Sequence, residues 1–397
     1  MYQNLPAFPM RRTCPFDPPP GYAALRAERP VARVRLPNGQ TPWLVTGYDH
    51  ARRILTDERV SSDRRHPGHP SLVGGRRSAN AAPLVGMDPP EHGVHRRMLA
   101  AEFTVKRLHA LRPRIRQIAG EFVGRLHDST ERPADLVRAL SLPVPSLVIC
   151  ELLGVPYADH DFFESRAGAM LGHGTPPEEA AAAFGELRAY VGTLVTRNER
   201  RPEDGLLGRL VDRYRREGMY DHDLLAELSM VLLVAGHETT ANMISLGTVA
   251  LLEHPGQLAE VMADPALIGP AVEELLRHFS VADAVTCRVA LADIEIGGVV
   301  IGAGEGIIVA NGAANHDPAR FDRPAGLDLP RGARHHLALG YGVHQCLGQN
   351  LARLELEIVF STLFTRIPGL RLAVPAGELP FKHDSFLYGV HEVPVTW

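Results

Sequence analysis

Cys346 is the residue whose surroundings first point to chemistry. It lies in the stretch GYGVHQCLG at 340–348, where a loop runs into an amphipathic helix. Backbone N–H groups at a helix start, and the positive end of the helix dipole, favour a thiolate over a thiol. Gly340, Gly342 and Gly348 let backbone come close to a bulky group or adopt positive φ. A lone cysteine in a Gly-rich turn is more often a structural thiol, but a thiolate in a glycine cradle is what an axial ligand of haem iron requires.

A second constellation is AGHETT at 235–240, in the middle of a long apolar helix predicted over 221–253. Apolar residues on nearly every face place such a helix in a core. Glu238 is costly there unless hydrogen-bonded or hydrated. The Thr239 hydroxyl can bond the carbonyl four residues back, at Ala235, and Gly236 leaves room beside it. The outcome is a notch carrying an acid and an alcohol, suited to holding water and passing protons to dioxygen. The bland alternative is a kink with a satisfied polar pair.

Two weaker patterns accompany these. In EELLRHF, Glu274 and Arg277 lie three apart and share a helix face; exposed, such a pair contributes almost nothing. Four cations are spaced along the chain: His92 and Arg96, four apart on one predicted helix face, then Arg288, then His344, two residues before Cys346. Singly, each is more often a surface cation.

Taken in order, these motifs resemble the cytochrome P-450 haem-thiolate monooxygenases, closest to the soluble actinobacterial type of secondary metabolism and xenobiotic oxidation. The resemblance implies haem b with Cys346 as the axial iron ligand. It implies Glu238 and Thr239 as the acid–alcohol pair, and His92, Arg96, Arg288 and His344 as partners of the haem propionates. Ala235, Gly236, Leu339, Gly340 and Gly348 would border the cofactor. Glu274 and Arg277 match the family's structural pair, and Arg320 or Arg323 is expected as its third partner. Most relatives carry phenylalanine where Leu339 stands, a departure that bears on how the sulfur is shielded and on the iron's potential.

The same resemblance implies a fold that is mainly α with a smaller β portion (α+β), a triangular prism with haem between the long core helix and the Cys-ligand helix. By family analogy the substrate pocket draws on 61–87, 158–195, 281–286 and the turn at Phe386-Leu387-Tyr388. Val85, Leu232, Val234, Ala235, Val281, Ala282 and Leu387 would make it mostly apolar, fitting a medium-to-large hydrophobic molecule such as a polyketide or macrolide, a steroid-like compound or a xenobiotic.

The elements that must position these residues are legible in outline. Helices are predicted over 91–100, 105–128, 141–153, 158–170, 177–199, 204–217, 221–253, 255–263 and 347–366. β-rich portions are expected at about 30–48 and 285–310, where Gly pairs break an alternating pattern, and again in the C-terminal tail. The first 45 residues read as an irregular Pro-rich entry before a small sheet. No Pro/Gly-rich linker separates halves, so one domain over 1–397 is expected.

Composition fits a globular chain, with 45% hydrophobic and 22% charged residues. A formal net charge of −4 gives no support to nucleic-acid binding, yet residues 1–130 hold 21 basic against 11 acidic residues. That basic part could dock an acidic ferredoxin through Arg96-Arg97. Four cysteines without paired spacing read as thiols, and no signal-peptide core is evident, so a cytoplasmic monomer off the membrane is expected. No G-x-G-x-x-G follows a strand, so electrons from NAD(P)H are expected through a ferredoxin and ferredoxin reductase. Alternatives are a haem-thiolate ligand-binding sensor without turnover and a peroxide-driven peroxygenase; the intact Glu238–Thr239 pair speaks against both. A metallohydrolase built on His335, His336, His344 and Cys346 lacks ligand spacing.

Overall fold

The computed structural model describes residues 5–72, 83–171, 175–283, 285–383, 385 and 387–397. The chain opens with α1 (Pro20–Glu28), β1 (Val31–Arg33), β2 (Trp43–Val45), α2 (Tyr48–Thr56) and β3 (Val60–Ser61). α3 (Glu91–Ala100) and α4 (Val105–Asp128) lead through β4 (Ala134–Asp135) to α5 (Pro143–Leu153), α6 (His160–Leu171), α7 (Pro177–Arg200), α8 (Leu206–Arg216) and α9 (His222–Glu253). α10 (Pro255–Ala263) and α11 (Ile268–Phe279) precede β5 (Thr286–Ala290), β6 (Ile294–Ile296), β7 (Val299–Ile301) and β8 (Gly306–Val309). Last come α12 (Asn311–Asn315), α13 (Gln349–Arg366), β9 (Arg371–Leu372) and β10 (Pro394–Thr396).

The chain is mainly α with a smaller β portion, as its sequence pattern predicts. α1 corrects the reading of an irregular entry: Pro20 sits at the first helical position, where its missing N–H and fixed φ favour a helix. β3 and β4, two residues each, fall outside the expected strands. The final long helix starts at Gln349, two residues later than expected.

Contacts divide the chain into two compact units, crossed at 93/94, 252/253, 346/347, 380/381 and 389/390. The first holds a five-stranded sheet in the order β1-β2-β8-β5-β3, with β2 and β8 parallel and the other pairs antiparallel. Amphipathic α2 turns Tyr48, Ala51, Ile54 and Leu55 into a core with Val31, Val45, Ile307 and Val309 of the sheet. β6 and β7 form a hairpin whose turn is Gly297-Gly298, with φ of 58° and 76°. Both central residues of such a turn need positive φ, so the Gly pair seen in the sequence sets the hairpin.

The second unit is built on α9, the 32-residue helix whose residues 240–251 are all buried. Its Gly247 is required by α13: a Cβ there would lie 2.5 Å from the Phe360 ring. β4, β10 and β9 form a separate three-stranded sheet. Among the described residues α9 is the one helix long and apolar enough to cross a membrane, and 56% of its most apolar stretch is buried inside the protein.

Candidate functional site

In the first unit, amphipathic α11 buries its face from Ala271 to Phe279 and carries Glu274 and Arg277, both 0% exposed. Arg277 donates to both carboxylate oxygens of Glu274, at 2.7 and 2.8 Å. Its remaining N–H groups meet the carbonyls of Asn315 and Pro324 at 2.8 Å and of Gly326 at 3.3 Å. Burial therefore gives this i, i+3 pair an importance that its spacing alone lacks. The third partner is Arg331, whose Nε stands 3.4 Å from Glu274 Oε1. That corrects the expectation of Arg320 or Arg323: Arg320 lies over the Tyr48 ring at 5.4 Å, and Arg323 is exposed beside Asp322.

The segment that Arg277 braces leads into the cysteine loop, which folds onto α2. The Tyr48 hydroxyl donates to the His335 carbonyl at 2.5 Å, and Arg52 donates to the Tyr341 hydroxyl. Gly340 and Gly342 both have φ of +72°, and a Cβ on Gly342 would lie 2.3 Å from the Leu55 carbonyl oxygen. No other residue fits there. The Cys346 N–H donates to the Leu339 carbonyl at 2.8 Å, so Leu339 shapes the loop through its backbone as well as its half-buried side chain. Gly348 caps α13, and nothing lies within 4 Å of where its Cβ would be. Cys346 is half-exposed, whereas Cys150 and Cys287 are buried, and burial pushes the Cys287 thiol up to about 11.

The same unit holds three of the expected cations, His92, Arg288 and His344. His92, at the start of α3, is 1% exposed, and its ring centroid lies 4.1 Å from that of His344. Arg288 on β5 is half-buried and donates to the carbonyl of Cys287 at 2.7 Å; burial holds its guanidinium below its ordinary pKa. Nearby His69 is lowered to about 4 by burial first and then by Arg64. Asp88 acts on the Arg288 guanidinium electrostatically, but among the described residues Arg288 forms no ion pair, and a desolvated guanidinium of that kind suits an anionic ligand.

The second unit holds the notch. The Thr239 hydroxyl donates to the Ala235 carbonyl at 2.8 Å, as the sequence predicts. Glu238 is half-exposed, and the buried Asn242 side chain donates to its Oε1 at 3.2 Å. That resolves the burial cost expected for Glu238. The space beside Gly236 is taken by α5, since a Cβ there would lie 3.1 Å from Ile149. Arg96 is half-buried on α3 and Arg97 exposed.

The expected pocket residues differ in accessibility. Ala235 and Val85 are exposed, Val234, Ala282 and Leu387 half-buried, and Leu232 and Val281 buried. The Tyr388 N–H donates to the Val281 carbonyl at 2.9 Å, which brings two of the expected pocket segments together. Phe386, Ala284 and residues 73–82 of the 61–87 loop lie outside the described residues. Sequence reasoning missed the residues that hold the loop: Tyr48, Arg52, Glu273, Arg331 and His336. The His335-His336 doublet and the second acid of EELLR were the available signals.

These residues fit haem. A half-open thiol, an open glycine and a set of imidazole and guanidinium donors match a thiolate-ligated iron with two carboxylate arms.

Comparison with known proteins agrees. The cytochrome P450 family model matches residues 266–367. A pentalenic acid synthase of Streptomyces avermitilis is 52% identical, over 98% of this chain and 97% of that protein. A vitamin D3 dihydroxylase of Streptomyces griseolus is 47% identical, over 99% of this chain and 97% of its own. The crystal structure of cytochrome P450 MoxA from Nonomuraea recticatena has a TM-score of 0.93 at 56% identity, over 98% of both chains.

Proposed function

The chain belongs to the cytochrome P450 family of haem monooxygenases, and we propose that it hydroxylates a medium-to-large hydrophobic small molecule with electrons from a ferredoxin and its NAD(P)H-dependent reductase. The observation that carries this is the cysteine loop: it bears a half-exposed Cys346 and is bonded to α2 through His335 and Tyr341, in a unit that also holds the His92–His344 pair and Arg288. When bound, the haem supplies oxygen activation, which the thiolate favours by donating electron density.

The chain's own residues supply the rest. Cys346 would hold the iron, and His92, Arg288 and His344 of the same unit would hold the propionates, the role that the family resemblance also gives Arg96. The Thr239 hydroxyl proton is committed to the Ala235 carbonyl, so Thr239 Oγ1 acts as an acceptor that orients a proton-bearing water. Glu238 is half-exposed and steadied by Asn242, so its carboxyl can exchange protons with solvent and feed that water. In the first unit the apolar Val281, Ala282 and Leu387, and in the second Leu232 and Val234, are the residues proposed to exclude water from a bound substrate. The name of one relative, a vitamin D3 dihydroxylase, supports a steroid-like molecule as the first class to screen.

We place the protein in the cytoplasm as a monomeric single domain, with exposed Arg97 on its ferredoxin-docking face. Reduced haem-loaded protein under carbon monoxide should show the thiolate band, and Cys346→Ser should lose it. NADH-driven product formation with surrogate partners should follow, and charge reversal at Arg97 should slow reduction at low salt. A wild-type spectrum typical of histidine ligation would overturn the assignment; binding without turnover would leave a sensor.

A further inference from the structure

The cysteine loop is anchored from a direction that haem binding does not require. His336, three residues before Leu339, is 6% exposed. Its Nδ1 accepts the Ala338 N–H at 3.1 Å, so the ring proton sits on Nε2. Nε2 donates to Glu273 Oε2 at 2.9 Å, a carboxylate on α11 that is 8% exposed. The adjoining backbone is held equally closely. The Leu337 N–H donates to the Asn315 side chain at 2.6 Å, and the Gly340 N–H returns to the Leu337 carbonyl at 2.9 Å. The next carbonyl but one, that of Leu339, receives the Cys346 N–H at 2.8 Å. An unbroken path therefore runs from the α11 carboxylate through an imidazole to the backbone that carries the cysteine, and every member belongs to one compact unit.

We propose that the Glu273–His336 pair is a positioning device for the haem ligand, fixing segment 336–339 and through it the aim and retention of the Cys346 thiolate. The proposal rests on Cys346 being that ligand. His336 is a positioning residue: it acts through Ala338 and Leu339 and needs no contact with haem or substrate. Its two ring nitrogens do different work, one taking a backbone N–H and the other reaching the carboxylate, which a single tautomer permits. Glu273 is one residue from Glu274, so the helix that carries the buried ion pair also carries this anchor. A charge-assisted bond lost from a buried site commonly changes an equilibrium about ten- to a hundredfold.

The test uses haem-loaded full-length protein and the variants His336→Ala, Glu273→Ala and Glu273→Gln. Tyr22→Phe serves as control, since it removes one buried bond to Asp283 in the same unit, away from the loop. Three quantities are read: the thiolate fraction of the ferrous–carbon monoxide complex, its rate of conversion to the thiolate-free form in mild urea, and the reduction potential. His336→Ala and Glu273→Ala should speed conversion at least about tenfold and shift the potential, with the double variant no worse than the worse single. Glu273→Gln keeps an acceptor for Nε2–H and should stay within about threefold of wild type. Tyr22→Phe should lower global stability and leave the thiolate band and potential in place. If the two alanine variants behave like Tyr22→Phe, the pair is ordinary packing and the proposal falls. Should Glu273→Ala fail to take up haem, His336→Asn carries the same criteria, because asparagine can still accept near Ala338 but cannot reach Glu273. A wild-type protein without the thiolate band overturns the ligand assignment itself, and the positioning role with it.

Discussion

Glu274→Gln should be among the most destabilising single changes in the first unit, and the reason can be worked from its neighbours. The carboxylate accepts two bonds from Arg277, a further N–H from Asp328 at 3.1 Å, and lies 3.4 Å from Arg331. Glutamine keeps the shape but removes the charge, leaving the buried Arg277 without a counter-ion and Arg331 beside it. Breaking a buried pair by removing one partner costs about 3–5 kcal/mol. Arg277→Lys retains the charge, yet an ammonium has three donors where the guanidinium makes five bonds, so at least two acceptors go unbonded, at roughly 2–4 kcal/mol in total. Arg331→Ala should cost less than either, since Glu274 keeps Arg277. Against a total stability of about 5–15 kcal/mol, the first two are large fractions. Urea unfolding of haem-loaded protein, followed by circular dichroism, gives the ranking Glu274→Gln above Arg277→Lys above Arg331→Ala, with Arg320→Ala near wild type. If Glu274→Gln lies within about 1 kcal/mol of wild type, or Arg320→Ala costs as much as Arg331→Ala, the buried-pair argument is wrong.

Acid should destabilise the protein through His278 and His316, whose ring centroids lie 5.4 Å apart. Burial first, then neighbouring charge that includes Arg277, Arg12, His254 and Arg26, lowers His316 to about 3 and His278 well below its ordinary value. Both rings are neutral in the folded state and protonate when it unfolds, so this stability is complete above about pH 6.5 and drains away as pH falls towards 3. His316→Gln should flatten that limb in unfolding measured against pH, and an unchanged slope would count against the assignment. Thr239→Ala and Glu238→Gln should leave the carbon monoxide spectrum intact and slow product formation about a hundredfold, with NADH consumed without product; equal coupling in wild type and variants would remove them from the proton path. Leu339→Phe should keep haem bound, because the bond from Cys346 uses the Leu339 backbone. A shift in reduction potential is expected, and its absence would make the position mere packing.

The residues whose chemistry depends on near neighbours were legible in the sequence. Cys346 with its glycines, Thr239 with Ala235, and the Gly297-Gly298 turn each express a local rule, and the structure obeys it. What escaped the sequence depends on distance. Glu273 and His336 are 63 residues apart, and the buried Glu274 carboxylate takes Arg331 rather than Arg320 or Arg323. No spacing rule chooses among three arginines in one irregular segment. The choice is made by the short turn Leu329–Arg331, whose buried Leu329 turns the following arginine inward, while Arg323 sits at φ of 43° on the surface. α1 is hidden for a different reason: its prolines read as an irregular entry, although the first helical turn is where proline is tolerated.

The buried acids of the first unit show why its cations are significant. Glu273 is engaged by His336, Glu274 by Arg277 and Arg331, and Asp283 by the Tyr22 hydroxyl at 2.9 Å and the Gly312 N–H at 2.6 Å. Asp317 takes the N–H groups of Tyr48 and Ala319, with Arg26 at 3.8 Å. Each of these carboxylates fastens one element to another: Glu273 joins α11 to the cysteine loop, Glu274 joins α11 to the turn at Asp328 and Arg331, Asp283 joins α1 to α12, and Asp317 joins α2 to the segment after α12. Among the described residues none of these four carboxylates pairs with Arg288, whose hydrogen bond goes to the carbonyl of the preceding residue, and the carboxylate whose charge reaches it, Asp88, is bonded by Ser61 and Ser62. Were Arg288 a structural cation, the fold would be expected to spend an acid on it, as it does on Arg277. A desolvated guanidinium left to a backbone carbonyl, on the strand after α11, is instead explained by a carboxylate that comes with a ligand. The haem propionates that the family implies are carboxylates of that kind. On this argument Arg288→Ala should raise the stability of haem-free protein and lower its affinity for haem, opposite signs that no purely structural arginine would give.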